Sequence, residues 1–584
     1  MRKLVFLVLS LFAVCTVFGS CHTQNPPSNP PPENPPPVIQ PPDGSGDEEF
    51  SVSDLPQDIK TNLSAGGYVK DKIDGFSQYE NTSAYRKVKT VDELVAAIKD
   101  AQCHYNNIWD DESKTYTQVP AAGYTQENFA GKVRVIEIEN DLNLGYYTLS
   151  ESVKASGLVD DFCSRAQSSI TSYTMSADFL QNGASQIKIE NVSNLLVYSK
   201  NGAKLTHGGF KLTSDNNVVF RNLQFDELWQ WEDTSNRSVA KVGDYDAFGW
   251  AYFKISFCGY IWIDHCSFGK SYDGQIDYSN PVYNANALTA FRAPYGADGN
   301  NGLHISYCNF GAGSADEDGY IYKMMSAIEK DYKSGGGNYL YYGKLRDCGA
   351  SFEDILHGLA VPQKKGFLCG DDATFSGSYD NADDYNFNLK LRVSFANCVF
   401  KNLEDRLPKL RGGNAYMYNC MVDNSEYYSY RARLQSIGAK DAFTQINSTW
   451  KCALVSQGIV CGNGGSVAAE NCSFEGIEYL LKNNDKKNTG KYVEGGYRLI
   501  NCSYRKAKSD AVYIGSSSDP LNRFVNGTPD ILKAENFKWN TADGEKPFEP
   551  SLIDLDNAKA NLFNENYGAG VSVALKDDFL KTVY

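Results

Sequence analysis

A short strand-like pattern that recurs along the chain is the feature that most restricts its fold. Each segment alternates apolar and polar residues, and most end in Cys-x-aromatic or Cys-x-aliphatic. The shortest step between successive endings is 22 residues, from Phe400 to Val422. The segments are NVVFRNLQF (217–225), YIWIDHCSF (260–268), LHISYCNF (303–310), LRVSFANCVF (391–400), AYMYNCMV (415–422), VAAENCSF (467–474) and YRLINCSY (497–504). Because turns rather than helices separate the strands, the repeat predicts an all-β solenoid, a single-stranded, right-handed parallel β-helix.

The cysteines of these repeats are expected to occupy equivalent positions in stacked coils. A cysteine inside a coil acts as a small apolar residue, and the alternative is a ladder of disulfides. The asparagines that precede four of them suit a sharp turn, because asparagine tolerates the left-handed backbone conformation. The cysteines are Cys266, Cys308, Cys398, Cys420, Cys472 and Cys502, and the asparagines are Asn397, Asn419, Asn471 and Asn501.

Helical segments interrupt the strand pattern in three places. Thr90 and Glu93 form a capping box before LVAAI, so KTVDELVAAIKDA is predicted to be a helix that covers the open end of the solenoid. The stretches 141–186 and 311–362 contain helix-like sequence and are interpreted as insertions.

The N-terminal 47 residues are predicted to be a targeting region. Arg2 and Lys3 precede an apolar run, so residues 1–20 are interpreted as a signal peptide. The following Cys21 predicts a lipid-anchored bacterial lipoprotein on the outer membrane or cell surface, with simple secretion as the alternative. Residues 21–47 contain a proline-rich spacer, and residues 48–584 form the expected β-helix domain.

Charge and motif content exclude several functions. The formal net charge is −15, whereas general nucleic-acid binding needs a basic face, so no nucleic-acid partner is expected. A local basic cleft can still bind an anionic substrate. No paired CxxC motif supports a zinc site, and the protein is expected to be a monomer.

Four aspartates form the strongest candidate metal site. In GDYDAF (243–248) and SYDGQID (271–277), residues two or four apart on a strand point the same way. Asp244 with Asp246, and Asp273 with Asp277, therefore present two carboxylate pairs about one coil apart. Oxygen-only ligands suit calcium. The alternative is that both motifs are ordinary surface turns.

The adjacent Asp264 and His265 resemble a His–carboxylate catalytic unit. Neighbouring residues on a strand point to opposite faces, so we expect the two side chains to diverge and His265 to be structural, near Trp262.

The motifs together resemble those of pectate lyases of the parallel β-helix pectate/pectin lyase superfamily. The matching stretches are DELVAAI, NVVFRNLQF, GDYDAF, IWIDHCSF, YDGQID, HISYCNF, KKGFLCG and DRLPKLRGGNAYMYN, and the similarity runs from about residue 70 to YGAGV (567–571). IWIDH, DG-x-ID and R-x-P-x-x-R in this order are highly specific.

The resemblance implies a role for each matched residue. Asp244, Asp246, Asp273 and Asp277 match the calcium-binding carboxylates of the family, and Arg406 matches its catalytic base. Two further matches, Lys365 and Arg411, correspond to substrate-binding residues, and the match at Lys365 requires that 311–362 be an insertion.

The implied reaction is calcium-assisted β-elimination of de-esterified polygalacturonate, which gives 4,5-unsaturated oligogalacturonides. One alternative is a pectin lyase-like enzyme that acts on partly methylated pectin. The other is a non-catalytic β-helix that binds polysaccharide at a surface, because solenoids offer long concave faces.

Overall fold

The computed structural model describes residues in the interval 66–572. They are 66–73, 75–110, 112, 115–125, 131–145, 185–229, 231, 250–280, 301–311, 313–337, 339–370, 388–437, 457–483, 496–506, 512–514, 525–526, 537, 539–541, 544–564 and 568–572. Contacts divide the chain into units 1–49 and 50–584, and all described residues belong to the second unit. The predicted signal peptide, Cys21 and the proline-rich spacer therefore lie outside the described residues.

Three long sheets wind around one interior, and successive coils pair in parallel. Sheet 1 contains Tyr85–Val88, Val135–Ile138, Ser193–Tyr198, Asn216–Arg221, Tyr260–Asp264, Gly302–Ser306, Arg392–Ala396, Asn414–Tyr418, Ser466–Glu470 and Gly496–Ile500. Sheet 2 contains Leu142–Asn143, Lys204–Thr206, Gln224–Asp226, Ser267–Phe268, Asn309–Phe310, Val399–Lys401, Met421–Asp423, Ser473–Ile477, Ser503–Lys506 and, antiparallel, Val512–Ile514. Sheet 3 contains Ser185–Glu190, Gly208–Thr213, Phe253–Ser256, Ile276–Tyr278, Phe367–Gly370, Lys409–Arg411, Gln457–Gly462, Tyr479–Asn483 and Val525–Asn526. The prediction of a parallel β-helix is confirmed.

Two smaller pairs of strands and several helices complete the described structure. Gln363–Lys365 pairs in parallel with Leu403–Asp405, and Tyr105–Asp110 pairs antiparallel with Thr115–Pro120. The helices are α1 (Val91–Ala101), α2 (Tyr320–Lys333), α3 (Leu340–Asp347), α4 (Phe352–Ile355, continued by a π-helix over Leu356–Ala360), α5 (Ser425–Ser436) and α6 (Leu555–Leu562). Short 3-10 turns cover Gly67–Val69, Ser77–Tyr79 and Asn388–Lys390. None of the described helices is long and apolar enough to cross a membrane.

Each repeat seen in the sequence is two strands joined by one left-handed residue. Residues at this turn have φ near +50°, including Asn397, Asn419, Asn471 and Asn501 as predicted. The asparagines also bond along the stack, since Asn419 Nδ2 donates to Asn397 Oδ1 at 3.1 Å and Asn471 Nδ2 donates to Asn419 Oδ1 at 2.8 Å. These two bonds give the buried Nδ2 groups of Asn419 and Asn471 partners at the bends.

In the interior, side chains at paired positions of successive coils stack on one another. Phe225, Phe268, Phe310 and Phe400 follow one another along sheet 2, with ring centroids 5.4, 5.1 and 4.7 Å apart. Each such pair adds about 0.5–1.5 kcal/mol beyond simple burial. The six repeat cysteines are buried and are free thiols. The interior packing prediction is therefore confirmed, and the disulfide ladder is not formed.

Helix α1 closes the N-terminal end of the solenoid, as predicted. The Glu93 backbone N–H donates to Thr90 Oγ1, and the Thr90 N–H donates to Glu93 Oε2, both at 3.2 Å. Leu94, Ile98 and Ala101 are buried in the interior cluster, so the helix shields apolar surface of the first coil.

Helices α2 to α4 lie in the predicted insertion 311–362 and pack beside the turn that precedes the sheet 3 strand Ile276–Tyr278. Their apolar side chains form a cluster with Trp229, Trp231 and Tyr272. Tyr272 directly precedes Asp273, so the helical layer supports the turn that carries a predicted site residue.

Candidate active site

Four of the predicted site residues converge where three consecutive coils enter sheet 3. Asp273 and Asp277 flank the start of Ile276–Tyr278, and Lys365 ends a short strand just before Phe367–Gly370. On the next coil, Arg406 lies between Leu403–Asp405 and Lys409–Arg411. The predicted carboxylates Asp244 and Asp246 lie outside the described residues.

The four side chains form a mixed cluster of charges. Lys365 Nζ donates to Asp273 Oδ1 at 2.7 Å. Arg406 faces both carboxylates, with Nη2 3.6 Å from Asp273 Oδ1 and Nη1 3.6 Å from Asp277 Oδ1. Two cations therefore lie against two anions at the mouth of the site, and the contacts of the arginine are longer than hydrogen bonds.

Asp277 has unmet capacity for a cation. Its Oδ1 atom is buried and has no hydrogen-bond partner among the described residues. Burial raises the pKa of Asp277, and the opposing effect of Arg406 does not cancel this increase. An additional positive charge would stabilise the ionised carboxylate.

Asp273 and Asp277 fit an oxygen-preferring cation such as calcium. Their donor set consists of carboxylate oxygens, and one of these oxygens is buried without a hydrogen bond. Within the described part of the chain, no group of three or more His, Cys, Asp or Glu side chains is arranged to hold a metal. A complete site therefore requires oxygens beyond these two side chains.

The backbone holds Arg406 in an unusual conformation. Its φ is +68°, in the left-handed region that costs a non-glycine residue of order 1 kcal/mol or more. The Arg406 N–H donates to Asp405 Oδ1 at 2.7 Å, and the Leu407–Pro408 peptide that follows is cis. The side chain is 8% exposed, and its Nε and Nη1 atoms lack hydrogen-bond partners among the described residues. The guanidinium is thus held in the cluster, although the cluster does not use all of its hydrogen-bond donors.

Two glycines allow the coils to approach closely around Arg406. A Cβ on Gly366 would lie 2.6 Å from Arg406 O, and one on Gly274 would lie 3.1 Å from both Arg406 Nη1 and Asp277 Oδ1. Real Cβ atoms do not make contacts as short as the first, so the site needs glycine at position 366.

Arg411 lies further along the same sheet. It ends the strand Lys409–Arg411 and pairs in register with Gly370 on one side and Gly462 on the other. Pro408 has no N–H to donate, but its carbonyl accepts from the Val460 N–H at 3.0 Å. Arg411 therefore follows Arg406 by one short strand rather than joining the cluster of four.

Gln363 is a site component that the motifs did not indicate. Its side chain is fully buried, and Nε2 lies within hydrogen-bonding distance of Asp273 O at 2.8 Å and Lys365 O at 2.7 Å. It also bonds Ser271, whose N–H donates to Gln363 Oε1 at 3.0 Å. One amide thus ties the turn that carries Asp273 to the strand that carries Lys365. A lone polar residue in VPQKKG gave no signal of this role.

Lys270 anchors the helical insertion beside the same turn. Its Nζ donates to Leu359 O at 3.0 Å and Pro362 O at 2.7 Å, and it lies 4.1 Å from the centre of the Trp229 ring. Burial lowers the pKa of Lys270 well below its usual value. The lysine therefore bonds carbonyls at the end of the π-helix, immediately before Gln363.

The expectation that Asp264 and His265 point to opposite faces is wrong. His265 is the left-handed turn residue, with φ +48°, rather than a strand residue. Its ring therefore folds back, and Nδ1 lies 2.7 Å from Asp264 Oδ2. Both side chains are fully buried, and the ring stacks on Tyr307 at 4.7 Å, so the pair is part of the packing.

The chain is similar to pectate lyases in sequence. Pectate lyase B of Paenibacillus amylolyticus is 27% identical over 429 residues, which cover 71% of this chain and 89% of that protein. The pectate trisaccharide-lyase of Thermotoga maritima is 30% identical over 98 residues, which cover 16% of this chain and 24% of that protein. No protein-family model matches the chain.

The fold is also similar to that of a solved pectate lyase. The structure of the pectate lyase from Paenibacillus sp. 0602 matches with a TM-score of 0.61 and 26% identity, covering 89% of this chain and 100% of that chain. The structural similarity therefore extends over most of this chain and over all of that pectate lyase.

Proposed function

We propose that this protein is a pectate lyase, an enzyme that cleaves de-esterified polygalacturonate by calcium-assisted β-elimination. The observation that carries the proposal is the convergence of Asp273, Asp277, Lys365 and Arg406 in one cluster, in a chain similar to Pectate lyase B over 89% of that protein. Polygalacturonate is a polyanion, and Lys365 and Arg406 supply the positive charge that can attract it, beside two partly exposed carboxylates that can hold a cation.

We assign the proton transfer to Arg406. In the proposed reaction a guanidine nitrogen of Arg406 removes the proton from C5 of a galacturonate unit. The C5–H electron pair forms the C4=C5 double bond, the C4–O glycosidic bond breaks, and the leaving oxygen receives a proton from solvent. The absence of hydrogen-bond partners for Nε and Nη1 among the described residues supports this role, because these atoms have capacity for substrate.

The other charged residues hold the substrate and the metal. Asp273 and Asp277, together with Asp244 and Asp246, are proposed to bind calcium, and Lys365 and Arg411 are proposed to bind substrate carboxylates. Calcium bound there would withdraw charge from the uronate carboxylate and so make the C5 proton more acidic.

The test is to follow the ultraviolet absorbance of the unsaturated product from polygalacturonate. We expect product in calcium, none in excess chelator, and recovery when calcium is restored. Highly methylated pectin serves as the comparison substrate, and faster cleavage of that substrate would favour the pectin lyase alternative. Full activity in chelator would contradict the calcium role, and binding without product would favour a non-catalytic protein.

Export and lipid anchoring through Cys21 belong to the same proposal. A secreted polymer-degrading enzyme needs to reach its substrate outside the cell, and a spacer of about 3.1 Å per residue would separate the anchor from the β-helix. Labelling with a radioactive fatty acid should mark the full chain and not Cys21→Ala. Release of an unlabelled full-length protein into the medium would favour secretion.

A further inference from the structure

A row of three lysines extends along sheet 3 from the candidate site. Lys188 pairs in register with Lys211, Lys211 with Lys254, and Lys254 with Asp277. Each is therefore one coil further from the carboxylate pair. Lys409 occupies the corresponding row on the other side of Asp277, separated from it by Leu368.

The three side chains point outward from the solenoid. Their sequence neighbours are buried in the interior cluster, whereas Lys188 and Lys211 are exposed and Lys254 is half-buried. The buried neighbours are Ile187, Ile189, Phe210, Leu212, Phe253 and Ile255. Alternation along a strand thus places the lysines on the face where Asp277 lies.

The Lys188–Lys211 and Lys211–Lys254 pairs of this row are electrostatically unfavourable in the protein alone. Neighbouring strands are about 4.8 Å apart, and like charges directly opposite each other are destabilising. Among the described residues no carboxylate lies within 4 Å of Lys188, Lys211 or Lys254, although the chain has 71 Asp and Glu against 56 Lys and Arg.

We propose that Lys188, Lys211 and Lys254 bind carboxylates of sugar units beyond the reaction centre, so that long uronate chains bind better than short ones. The inference rests on the proposed function, since it names how the same substrate continues along the sheet. A linear polyanion matches the row because its charges repeat along one direction, as the lysines do from coil to coil.

The first experiment measures binding without catalysis. The Kd for polygalacturonate is determined by isothermal titration calorimetry in excess chelator for the unaltered protein and for Lys188→Gln/Lys211→Gln. The double variant should bind about 2- to 30-fold more weakly, because it loses two surface charge interactions of about 0.2–1 kcal/mol each. Its Kd should also depend less on the salt concentration. Uncharged galactan should bind neither protein.

The matched control is Lys70→Gln/Lys132→Gln, which removes the same charge from two exposed lysines that lie outside the three sheets. Its Kd should equal that of the unaltered protein. An equal loss in both double variants would show an effect of net charge alone and would overturn the proposal. No binding in chelator by the unaltered protein would also overturn it.

The second experiment separates this inference from the proposed function. On an active enzyme, the rise in KM caused by Lys188→Gln/Lys211→Gln should be larger for polygalacturonate than for trigalacturonate. Equal rises in KM for the two substrates would contradict the proposed role of the lysine row. If the unaltered protein binds polygalacturonate through the lysines but forms no unsaturated product, the proposed lyase activity is contradicted and the inference about the lysines is supported.

Discussion

Two clusters, each of which pairs an aspartate with an arginine, lie on different faces of the same solenoid. On sheet 1, Asp264 and Arg221 are fully buried, with Oδ2 and Nε 2.7 Å apart, and Ser306 Oγ donates to Asp264 Oδ1 at 2.5 Å. On sheet 3, Arg406 approaches Asp277 no closer than 3.6 Å. Asp264 and Arg221 are therefore in direct contact, whereas Asp277 and Arg406 leave room between their charges.

The pKa values of Asp264 and of the partly exposed Asp277 consequently shift in opposite directions. Burial raises the pKa of Asp264, but the nearby His265 and Arg221 more than offset it and leave the pKa below its usual value. Burial also raises the pKa of Asp277, and there the more distant Arg406 does not offset it. A buried carboxylate is therefore a functional candidate when its counter-charge is missing, rather than because it is buried.

The largest expected effect comes from replacing Arg406 by another positively charged residue. Arg406→Lys should lower kcat by about 10²- to 10⁴-fold, because a general base contributes that much and an ammonium cannot reproduce the position of the guanidine nitrogens. Product absorbance measures the effect, and circular dichroism checks the fold. Arg498→Lys, on an exposed residue of sheet 1, is the control. An Arg406→Lys enzyme within tenfold of the original would mean that Arg406 supplies charge only.

Neutralising one aspartate in each cluster tests the comparison directly. Asp264→Asn should lower the free energy of unfolding by about 3–5 kcal/mol, because Arg221 loses its buried partner. In chelator, Asp277→Asn should change it by less than about 1 kcal/mol, because its carboxylate has no close partner to lose. Urea unfolding measures both values.

Calcium affinity should respond to the same two substitutions in the reverse order, with the larger effect from Asp277→Asn. By titration calorimetry, Asp277→Asn should bind calcium more weakly, whereas Asp264→Asn should bind like the unaltered protein under conditions where it remains folded. If Asp277→Asn were the more destabilising change, or if Asp264→Asn alone lost calcium, the assignment of the two clusters would be reversed.

The sheet 1 face should also make stability depend on pH. Burial lowers the pKa of His304 to about 4, whereas the unfolded value is 6.5. The folded state keeps this ring neutral, so its contribution is complete above pH 6.5 and is lost as the pH falls towards 4. Over that interval the unfolded state takes up the proton first, which lowers the free energy of unfolding by on the order of 3 kcal/mol.

Urea unfolding between pH 7.5 and 4.5 measures this loss. His304→Gln should reduce the pH dependence, and His104→Gln, on a ring stacked against Tyr124, should retain it. An unchanged pH dependence in His304→Gln would contradict the role of His304.

The smallest effect is expected from the amide that connects the site segments. Gln363→Met should reduce activity or calcium affinity by about 10- to 100-fold, the usual range for a residue that orients metal ligands. Calcium titration distinguishes lost positioning from a general loss of stability, and Gln78→Met, on an exposed residue, is the control. Normal calcium affinity and kcat/KM in Gln363→Met would show that Asp273 and Lys365 are held by other contacts.

Much of the solenoid was predictable because its physics is local. The 22-residue step from Phe400 to Val422 corresponds to a pair of residues in register, and the helix begins directly after the Thr90 capping box, as expected. The error at His265 also has a local cause. Strand alternation was extended one residue too far, across a turn that asparagine marks in other coils and that histidine occupies here.

The site was predictable only in part. The motifs and the family resemblance proposed Asp273, Asp277, Lys365 and Arg406, but they gave no indication of Gln363, Lys270 or the lysine row. Gln363 connects residues that lie up to 92 positions apart, and no spacing rule reaches across a helical insertion. The lysines are too far apart in the sequence to read as one charged segment.

The sequence by itself determined the coil, its small buried thiols, its asparagine turns and the types of charge available to a site. These follow from backbone sterics and from side-chain size, which depend on a few neighbouring residues. Tertiary structure alone decided which charges meet at 2.7 Å and which remain 3.6 Å apart. That difference comes from how distant coils stack, and it separates the structural aspartate from the one proposed to bind a cation.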